Sequence, residues 1–234
     1  GAGGIIAGTP GLWRMFEVLD KHNIRCTVSL SMSVIEMYPE ILEAMEARRW
    51  EYMSHGYFNT RYHWGYEEQE EREVIEHSKA THLRLTGRKL RGWFSPAVSN
   101  TLNTPDLVKE AGLEYFCDFY HDDQPTPLAT KHGPLIHVPY SMDLNDAMIY
   151  RQPVEAEEFA QMIIDHFDTV YREGGENGRV MCLALHPYMM GAPHRLKHLD
   201  RALSYIRKHK DAWVCTAEEI LDWYVANGLK PYQQ

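Results

Sequence analysis

The feature that most constrains this chain is a regular alternation of helical and extended segments along its length. Apolar residues recur at helical spacing over 12–21, and a short β-branched run follows at 25–30. The pattern predicts seven strands, at 25–30, 50–53, 90–94, 114–117, 135–138, 179–185 and 212–215. It predicts helices between these strands, except over 118–134, and a last helix over 217–225. Alternating strands and helices indicate a parallel sheet covered by helices, and seven strands favour a (β/α) barrel over an open sheet.

Composition excludes several classes of protein and partner. The 234 residues carry a formal net charge of −9, which argues against nucleic acid or an anionic membrane as a partner. No apolar run approaches the roughly 20 residues of a membrane span. The four cysteines are far apart, and we expect them to be free thiols of a cytoplasmic protein. No linker or repeat interrupts the chain, so we expect one domain over residues 1–234.

Residues with catalytic potential stand where predicted strands end, the edge at which parallel α/β folds collect their chemistry. His55 follows the second strand, and it could ligate a metal or polarise a carbonyl oxygen. His186 follows the most apolar strand and suits a general acid or base. His63 lies in an aromatic loop and is a weaker candidate for the pocket. Most other histidines are expected on the surface, among them His22, His82 and His137.

Carboxylates and amides add to this group. Asp118 ends a strand and Asp122-Asp123 follow it, so neighbouring carboxylates could share acid–base work or simply cap a solvated turn. Asn145 and Asp146 could hydrogen-bond a polar ligand, or form an Asx turn. The sequence leaves these alternatives open.

Four ordered motifs, SHGYFNT, RGWFSPAVSNTLNTPDLVKEAGLEYFCDFYHDDQP, VPYSMDLND and LALHPYMMGAPHR, resemble the polysaccharide deacetylase (NodB homology) superfamily. Within it, the chain is most similar to the branch of metal-independent allantoinases, cyclic imide hydrolases and peptidoglycan deacetylase-like proteins. The resemblance covers about residues 11–224. It implies a distorted (β/α) barrel that hydrolyses a C–N amide bond and assembles as a homo-oligomer.

The resemblance also implies roles for individual residues. His55 matches the first histidine of the HxxxH metal motif, whereas Asn59 holds the place of the second. Since an amide is a poor zinc ligand, we expect either no cofactor or a divalent metal such as Zn²⁺ that His55 helps to bind. His186 matches the general acid of the deacetylases, and Arg91-Gly92-Trp93 stands in place of their Arg-Pro motif. Nothing before Gly11 matches the family's first strand with its Asp, so we expect that strand to be absent from this chain.

These departures shift the expected mechanism towards water activation by a carboxylate or histidine, with donors that stabilise the oxyanion. We therefore predict an α/β barrel enzyme that hydrolyses a non-peptide C–N bond. Its predicted catalytic residues are His55, Asp118, Asp123 and His186. Its predicted substrate-binding residues are Asn59, His63, Trp93, Tyr140 and Asn145, with Trp93 and Tyr140 in an aromatic rim that also includes Tyr57, Trp64 and Tyr120.

Three functions remain open from the sequence. The first is hydrolysis of a small cyclic amide, ureide or imide, favoured by the missing metal ligand and the cytoplasmic character. The second is deacetylation of N-acetylated amino sugars, the usual activity of the superfamily. The third is a catalytically inactive barrel kept for binding, with an open sheet edge that needs a partner.

Overall fold

A computed structural model of the chain describes residues 9–55, 68–94, 103–118, 123–140, 144–147, 149, 154–175, 178–187 and 189–228. Up to residue 117 helices and strands alternate as predicted, and an antiparallel hairpin and three helices follow in the described residues. The helices are α1 (Thr9–Lys21), α2 (Met32–Met37), α3 (Pro39–Ala47), α4 (Glu68–Thr86), α5 (Thr104–Glu110), α6 (Ala156–Glu173), α7 (Leu196–Arg207) and α8 (Ala217–Asn227). The strands are β1 (Thr27–Leu30), β2 (Glu51–Ser54), β3 (Gly92–Phe94), β4 (Tyr115–Cys117), β5 (Thr126–Thr130) and β6 (Gly133–His137).

The six strands form one sheet in the order β1-β2-β3-β4-β6-β5. The first five strands in this order are parallel to one another, which confirms the predicted parallel sheet. Strand β5 forms an antiparallel hairpin with β6 and occupies one edge of the sheet. Because β1 to β4 and β6 run the same way, their carboxyl ends meet at a single edge, called here the carboxyl edge.

Successive strand residues alternate between two apolar cores on opposite faces of the sheet. Trp93 and Phe116 belong to the main core, to which helices α1 to α7 all contribute. Phe94 and Cys117 belong to a second, smaller core, which Leu221 of α8 covers. The sheet is therefore apolar on both faces, as parallel sheets require.

Glycines follow the ends of two helices. Gly87 follows α4 with φ 72°, and Gly112 lies beyond α5 with φ 86°. Residues with a Cβ rarely adopt this left-handed conformation, so glycine is suited to both positions.

Two predicted strands are wrong in the described residues. Residues 179–185 make a single parallel bridge, between Ala184 and Asn145, and residues 212–215 belong to no strand. In segment 179–185 the hydrogen-bond acceptors are the reason. Val180 N–H donates to Asp123 O and Ala184 N–H to Leu144 O, and both acceptors lie outside strands. The sequence pattern predicts neither β5 nor the short helix α2.

Three histidines that we expected on the surface are largely buried. His22 contacts Asp200 of α7, with Nε2 2.6 Å from Oδ1. His82 lies inside α4 and its Nδ1 is 2.8 Å from the Arg88 carbonyl oxygen. His137 ends β6 and contacts Asp118. Each histidine has a polar partner, which is what makes its burial favourable.

None of the helices within the described ranges combines the length and the apolar character that a membrane span needs.

Candidate active site

The carboxyl edge collects several of the predicted site residues. Register pairs Leu30 with Ser54, Ser54 with Trp93, and Phe94 with Cys117. His55 directly follows Ser54, and Asp118 directly follows Cys117. His55 and Phe94 are therefore level with one another at this edge, and Asp118 lies one residue further along the next strand.

Tyr140 joins this edge from the next strand. It lies three residues beyond the end of β6, and its ring centroid is 4.6 Å from that of Phe94. Burial raises the pKa of the Tyr140 hydroxyl, and the neighbouring Cys182, Cys117 and Asp146 raise it further. Tyr140 thus lies close enough to Cys117, at the end of β4, and to Asp146 for their charges to act on its hydroxyl.

The central feature of the site is the contact between Asp146 and His186. His186 Nδ1 is 2.7 Å from Asp146 Oδ1. The other carboxylate oxygen, Oδ2, accepts the backbone N–H of His186 at 2.8 Å and that of Met190 at 3.2 Å. The Asp146 side chain is 0% exposed and that of His186 is 29% exposed. The carboxylate is therefore held from three directions, and only the imidazole faces solvent.

The parallel bridge brings the two residues of this pair together. Asp146 N–H donates to Ala184 O, and Ala184 N–H donates to Leu144 O. These two bonds fix residues 144–146 beside residues 184–186, which are about 40 positions apart in the chain. The sequence does not reveal that Asp146 is the partner of His186, since nothing local connects the two residues.

Two glycines allow the turn after His186 to pack against α1. A Cβ on Gly191 would lie 2.3 Å from Pro187 O and 2.6 Å from Gly11 O, and one on Gly11 would lie 2.2 Å from Pro187 O. Arg14 Nη1 donates to Gly191 O at 3.4 Å. Since the same turn supplies the Met190 N–H to Asp146, this close backbone approach supports the pair.

A second histidine–aspartate pair lies at the carboxyl edge. His137 Nε2 is 3.2 Å from Asp118 Oδ1. Asp123, by contrast, contacts Arg179, with Nη1 3.4 Å from Oδ2, and its carbonyl oxygen accepts Val180 N–H. The structure therefore gives the predicted catalytic residue Asp118 a histidine partner and Asp123 an arginine partner.

The predicted substrate-binding residues have different surroundings. Asn145 Oδ1 accepts the N–H of Ala147, which is an Asx turn. Trp93 is completely buried in the main core instead of lining an exposed rim, because β3 directs Phe94 and not Trp93 towards Tyr140. Asn59 and His63 lie outside the described residues, as do Tyr57, Trp64 and Tyr120.

Arg91 lies at the opposite edge of the sheet, before β3 begins. Its Nε donates to Glu114 Oε2 at 2.7 Å and its Nη2 to Asp222 Oδ1 at 2.5 Å. These carboxylates raise the pKa of the Arg91 guanidinium. Arg91 therefore anchors α8 at the amino ends of the strands. This position does not support the implied equivalence to the Arg-Pro motif of the deacetylases.

The described residues do not provide a complete donor set for zinc. No group of three His, Cys, Asp or Glu side chains within the described ranges has the spacing that a metal site needs. His55 lies at the carboxyl edge, and Asn59, the other matched position, is outside those ranges.

Comparison with known proteins identifies the family. The polysaccharide deacetylase family model matches residues 7–116. A protein of Schizosaccharomyces pombe, provisionally named a polysaccharide deacetylase, is 30% identical over 243 residues, which cover 95% of this chain and 74% of the relative. The chain belongs to the polysaccharide deacetylase family.

Solved structures of this family share the fold. The crystal structure of Puue allantoinase has 29% sequence identity and a TM-score of 0.86, over 93% of this chain and 73% of its own. A protein of Pseudomonas aeruginosa PAO1, provisionally named a polysaccharide deacetylase, has 30% identity and a TM-score of 0.86 over the same shares. The fold is thus a distorted (β/α) barrel of the NodB type, as the sequence predicted.

Proposed function

We propose that this protein hydrolyses a non-peptide C–N bond at the carboxyl edge, with a small cyclic amide, ureide or imide as substrate. The observation that carries the proposal is the Asp146–His186 pair, in which a fully buried carboxylate contacts an imidazole that is partly open to solvent. A general acid needs this combination, because its proton must reach the substrate while its ring is held in one orientation.

His186 acts as the acid for the leaving nitrogen. Its Nδ1 faces Asp146, so Nε2, on the far side of the ring, is directed away from the buried carboxylate. Asp146 fixes both the ring orientation and the tautomer, as the carboxylate does in other histidine–carboxylate pairs. Protonation of the nitrogen allows the C–N bond of the tetrahedral intermediate to break.

The cyclic substrate is supported by the Puue allantoinase structure, which is similar over almost the whole chain. Phe94 and Tyr140 form an aromatic pair at the carboxyl edge, and aromatic rings can stack on a flat heterocycle. The second candidate is N-deacetylation of amino sugars, which the name of the Schizosaccharomyces pombe relative favours. The aromatic pair suits either substrate.

A substrate panel separates the candidates. The protein is assayed on hydantoins, cyclic imides and allantoin, and in parallel on acetylated chitooligomers, each with and without a chelator. We expect turnover of at least one cyclic compound and none of the chitooligomers. Turnover of chitooligomers alone would favour deacetylation, and turnover of no compound would contradict both proposals and favour a binding role.

The chelator arm addresses the cofactor. Turnover that survives exhaustive chelation supports hydrolysis without a metal, and turnover that is lost and restored by Zn²⁺ supports a divalent metal bound with the help of His55.

We also propose a cytoplasmic location and a homo-oligomeric state. The location is supported by the four cysteines, all of which are free thiols. Light scattering at several concentrations tests the assembly, and a monomer mass throughout would contradict it.

A further inference from the structure

The contact between His137 and Asp118 is the second histidine–aspartate pair at the carboxyl edge. It has no part in the proposed action of His186 as the acid. His137 is the last residue of β6, and its partner in the parallel register is Phe116 of β4. Asp118 lies two residues beyond Phe116, so the imidazole leans along the strand direction to reach the carboxylate. Nε2 and Oδ1 are 3.2 Å apart.

The two pairs differ in the exposure of their carboxylates. In the Asp146–His186 pair the carboxylate is 0% exposed and the imidazole 29%. In the Asp118–His137 pair the imidazole is 12% exposed and the carboxylate 17%. The carboxylate is thus closed off from solvent in the first pair and partly open to it in the second.

We propose that His137 is a positioning residue that holds the Asp118 carboxylate as the general base for the attacking water. The inference rests on the proposed amide hydrolysis, which needs one group to remove a proton from water and another to protonate the leaving nitrogen. His137 donates its Nε2–H to Asp118 Oδ1, which directs the carboxylate towards the carboxyl edge and restricts its rotation.

The proton transfers balance with the two pairs. Asp118 accepts one proton from water while the water oxygen forms a bond to the amide carbon, and the carbonyl oxygen takes the negative charge. His186 then donates its Nε2 proton to the nitrogen as the C–N bond breaks. Exchange with solvent removes the proton from Asp118 and restores the one on His186, and one water molecule is consumed.

Two substitutions at His137 test the inference on the active substrate of the panel. His137→Leu removes the donor, whereas His137→Gln keeps an N–H close to the position of Nε2. We expect kcat to fall about 10- to 100-fold in His137→Leu with KM changed less than about threefold, and most of kcat to return in His137→Gln. Thr126→Val is the matched control, because Thr126 is the cross-strand partner of His137 on β5 and has no part in the site.

A double-mutant cycle and a spectroscopic measurement keep the inference testable if His137→Leu folds poorly. His137→Ala, which removes the donor with a smaller side chain, shows strong non-additivity in kcat when combined with Asp118→Asn if the two residues act as a unit, and additive losses would overturn the inference. The ¹⁵N shifts of His137 should show an Nε2–H imidazole in the wild type and change in Asp118→Asn. Unchanged shifts would overturn the inference without any assay of activity.

Failure of this inference differs from failure of the proposed function. If His186→Ala abolishes turnover and His137→Leu retains the kcat of the wild type, His137 is not a positioning residue and the proposed function stands. If the wild type hydrolyses nothing in the panel, the proposed function fails, and with it the catalytic role of His137, whatever the ¹⁵N shifts show.

Discussion

The Asp146–His186 pair depends on the chemical identity of both carboxylate oxygens. Oδ1 contacts His186 Nδ1, while Oδ2 accepts two backbone N–H groups, so both oxygens act as acceptors. An asparagine at this position would keep one acceptor and place an NH₂ group against donors on the other side. The pair therefore discriminates sharply between a carboxylate and its isosteric amide.

Asp146→Asn should accordingly lower kcat by about 10²- to 10⁴-fold with little change in KM, because the amide disturbs the tautomer and orientation of His186. His186→Ala should abolish turnover and leave the fold intact. Steady-state kinetics on the active substrate, with circular dichroism to verify folding, provide the measurement. Asp168→Asn on α6, which removes an exposed carboxylate bonded to Tyr205, should behave like the wild type. Wild-type turnover by His186→Ala would remove this residue from the mechanism.

A single methyl group at Gly191 should disturb the same turn. The Cβ of Gly191→Ala would collide with two backbone carbonyl oxygens, those of Pro187 and Gly11, and backbone cannot move as a side chain can. We expect a loss of about 1–3 kcal/mol in the free energy of unfolding and a lower kcat, since Met190 N–H would move relative to Asp146. Gly178→Ala is the control, because nothing lies within 4 Å of its added Cβ. Equal stability of the two variants in urea unfolding would contradict the close approach.

Single residues show how far the sequence alone can predict the site. His186 and Asp118 could be proposed from the sequence because each follows an apolar segment and stands at a predicted strand end. The partnership of His186 with Asp146 could not, since it depends on a bridge between segments about 40 residues apart. The sequence predicts Trp93 at the site, but this residue is buried in the main core. Trp93 and Phe94 are neighbours on a strand and face opposite cores, and the sequence does not say which of them faces the site.

At the scale of elements, α8 is anchored to the amino ends of β1 and β2. Thr216 and Glu219 form a capping box at its start. Thr216 Oγ1 donates to Glu51 Oε1 at 2.8 Å, and Ala217 N–H donates to Thr27 Oγ1 at 2.8 Å. Glu218 N–H donates to Glu51 Oε2 at 3.2 Å. The start of α8 is therefore attached to the sheet by polar contacts that centre on the Glu51 carboxylate.

The Glu218 side chain makes this attachment sensitive to pH. Burial raises the pKa of Glu218 to about 8, with further contributions from the charge of Glu51 and a hydrogen bond to it, while Arg91 and Arg88 act in the opposite direction. In the unfolded chain the pKa of this carboxyl is about 4.3. Between these two values the folded state binds more protons, so the free energy of unfolding falls as pH rises through this window.

Glu218→Gln should remove this loss, because the amide stays neutral at every pH. Between about pH 5 and about pH 8.5 we expect the wild type to lose about 1–3 kcal/mol more than the variant, a figure reduced for the partial exposure of Glu218. Urea unfolding across this range provides the measurement. Glu157→Gln is the matched control, since Glu157 is an exposed carboxyl at the same position in the first turn of α6. Parallel pH profiles for the wild type and Glu218→Gln would contradict the argument.

Elements also show which parts of the fold the sequence could predict. Helices such as α1 and α6 have apolar residues at helical spacing, and those residues are buried as expected. Segment 179–185 has the composition of a strand, yet composition cannot supply a neighbouring strand, and its backbone instead bonds to irregular segments. The hairpin strand β5 contains Pro127 and two exposed positions, which is why its sequence gives no strand pattern.

At the scale of the whole molecule, α1 and α7 are held together although they are far apart in the chain. Lys21 and His22 at the end of α1 both contact Asp200 of α7. Arg207 donates to the carbonyl oxygens of His22 and Asn23 at 2.7 Å each. The main core likewise includes buried residues from Leu12 to Ile206. Removing one helix from this core would therefore expose apolar surface on the elements that pack against it.

This continuity predicts that the chain unfolds as one cooperative unit, as the single domain expected from the sequence requires. Far-UV circular dichroism and tryptophan fluorescence should give coincident urea transitions, because the helices and the buried Trp50 and Trp93 share the main core. Leu199→Ala, at a fully buried position of α7, should shift both transitions together by about 2–5 kcal/mol. Leu83→Ala, at an exposed position of α4, should shift neither. Two separate midpoints, or a shift by Leu199→Ala in the circular dichroism alone, would show that the helices and the sheet unfold independently.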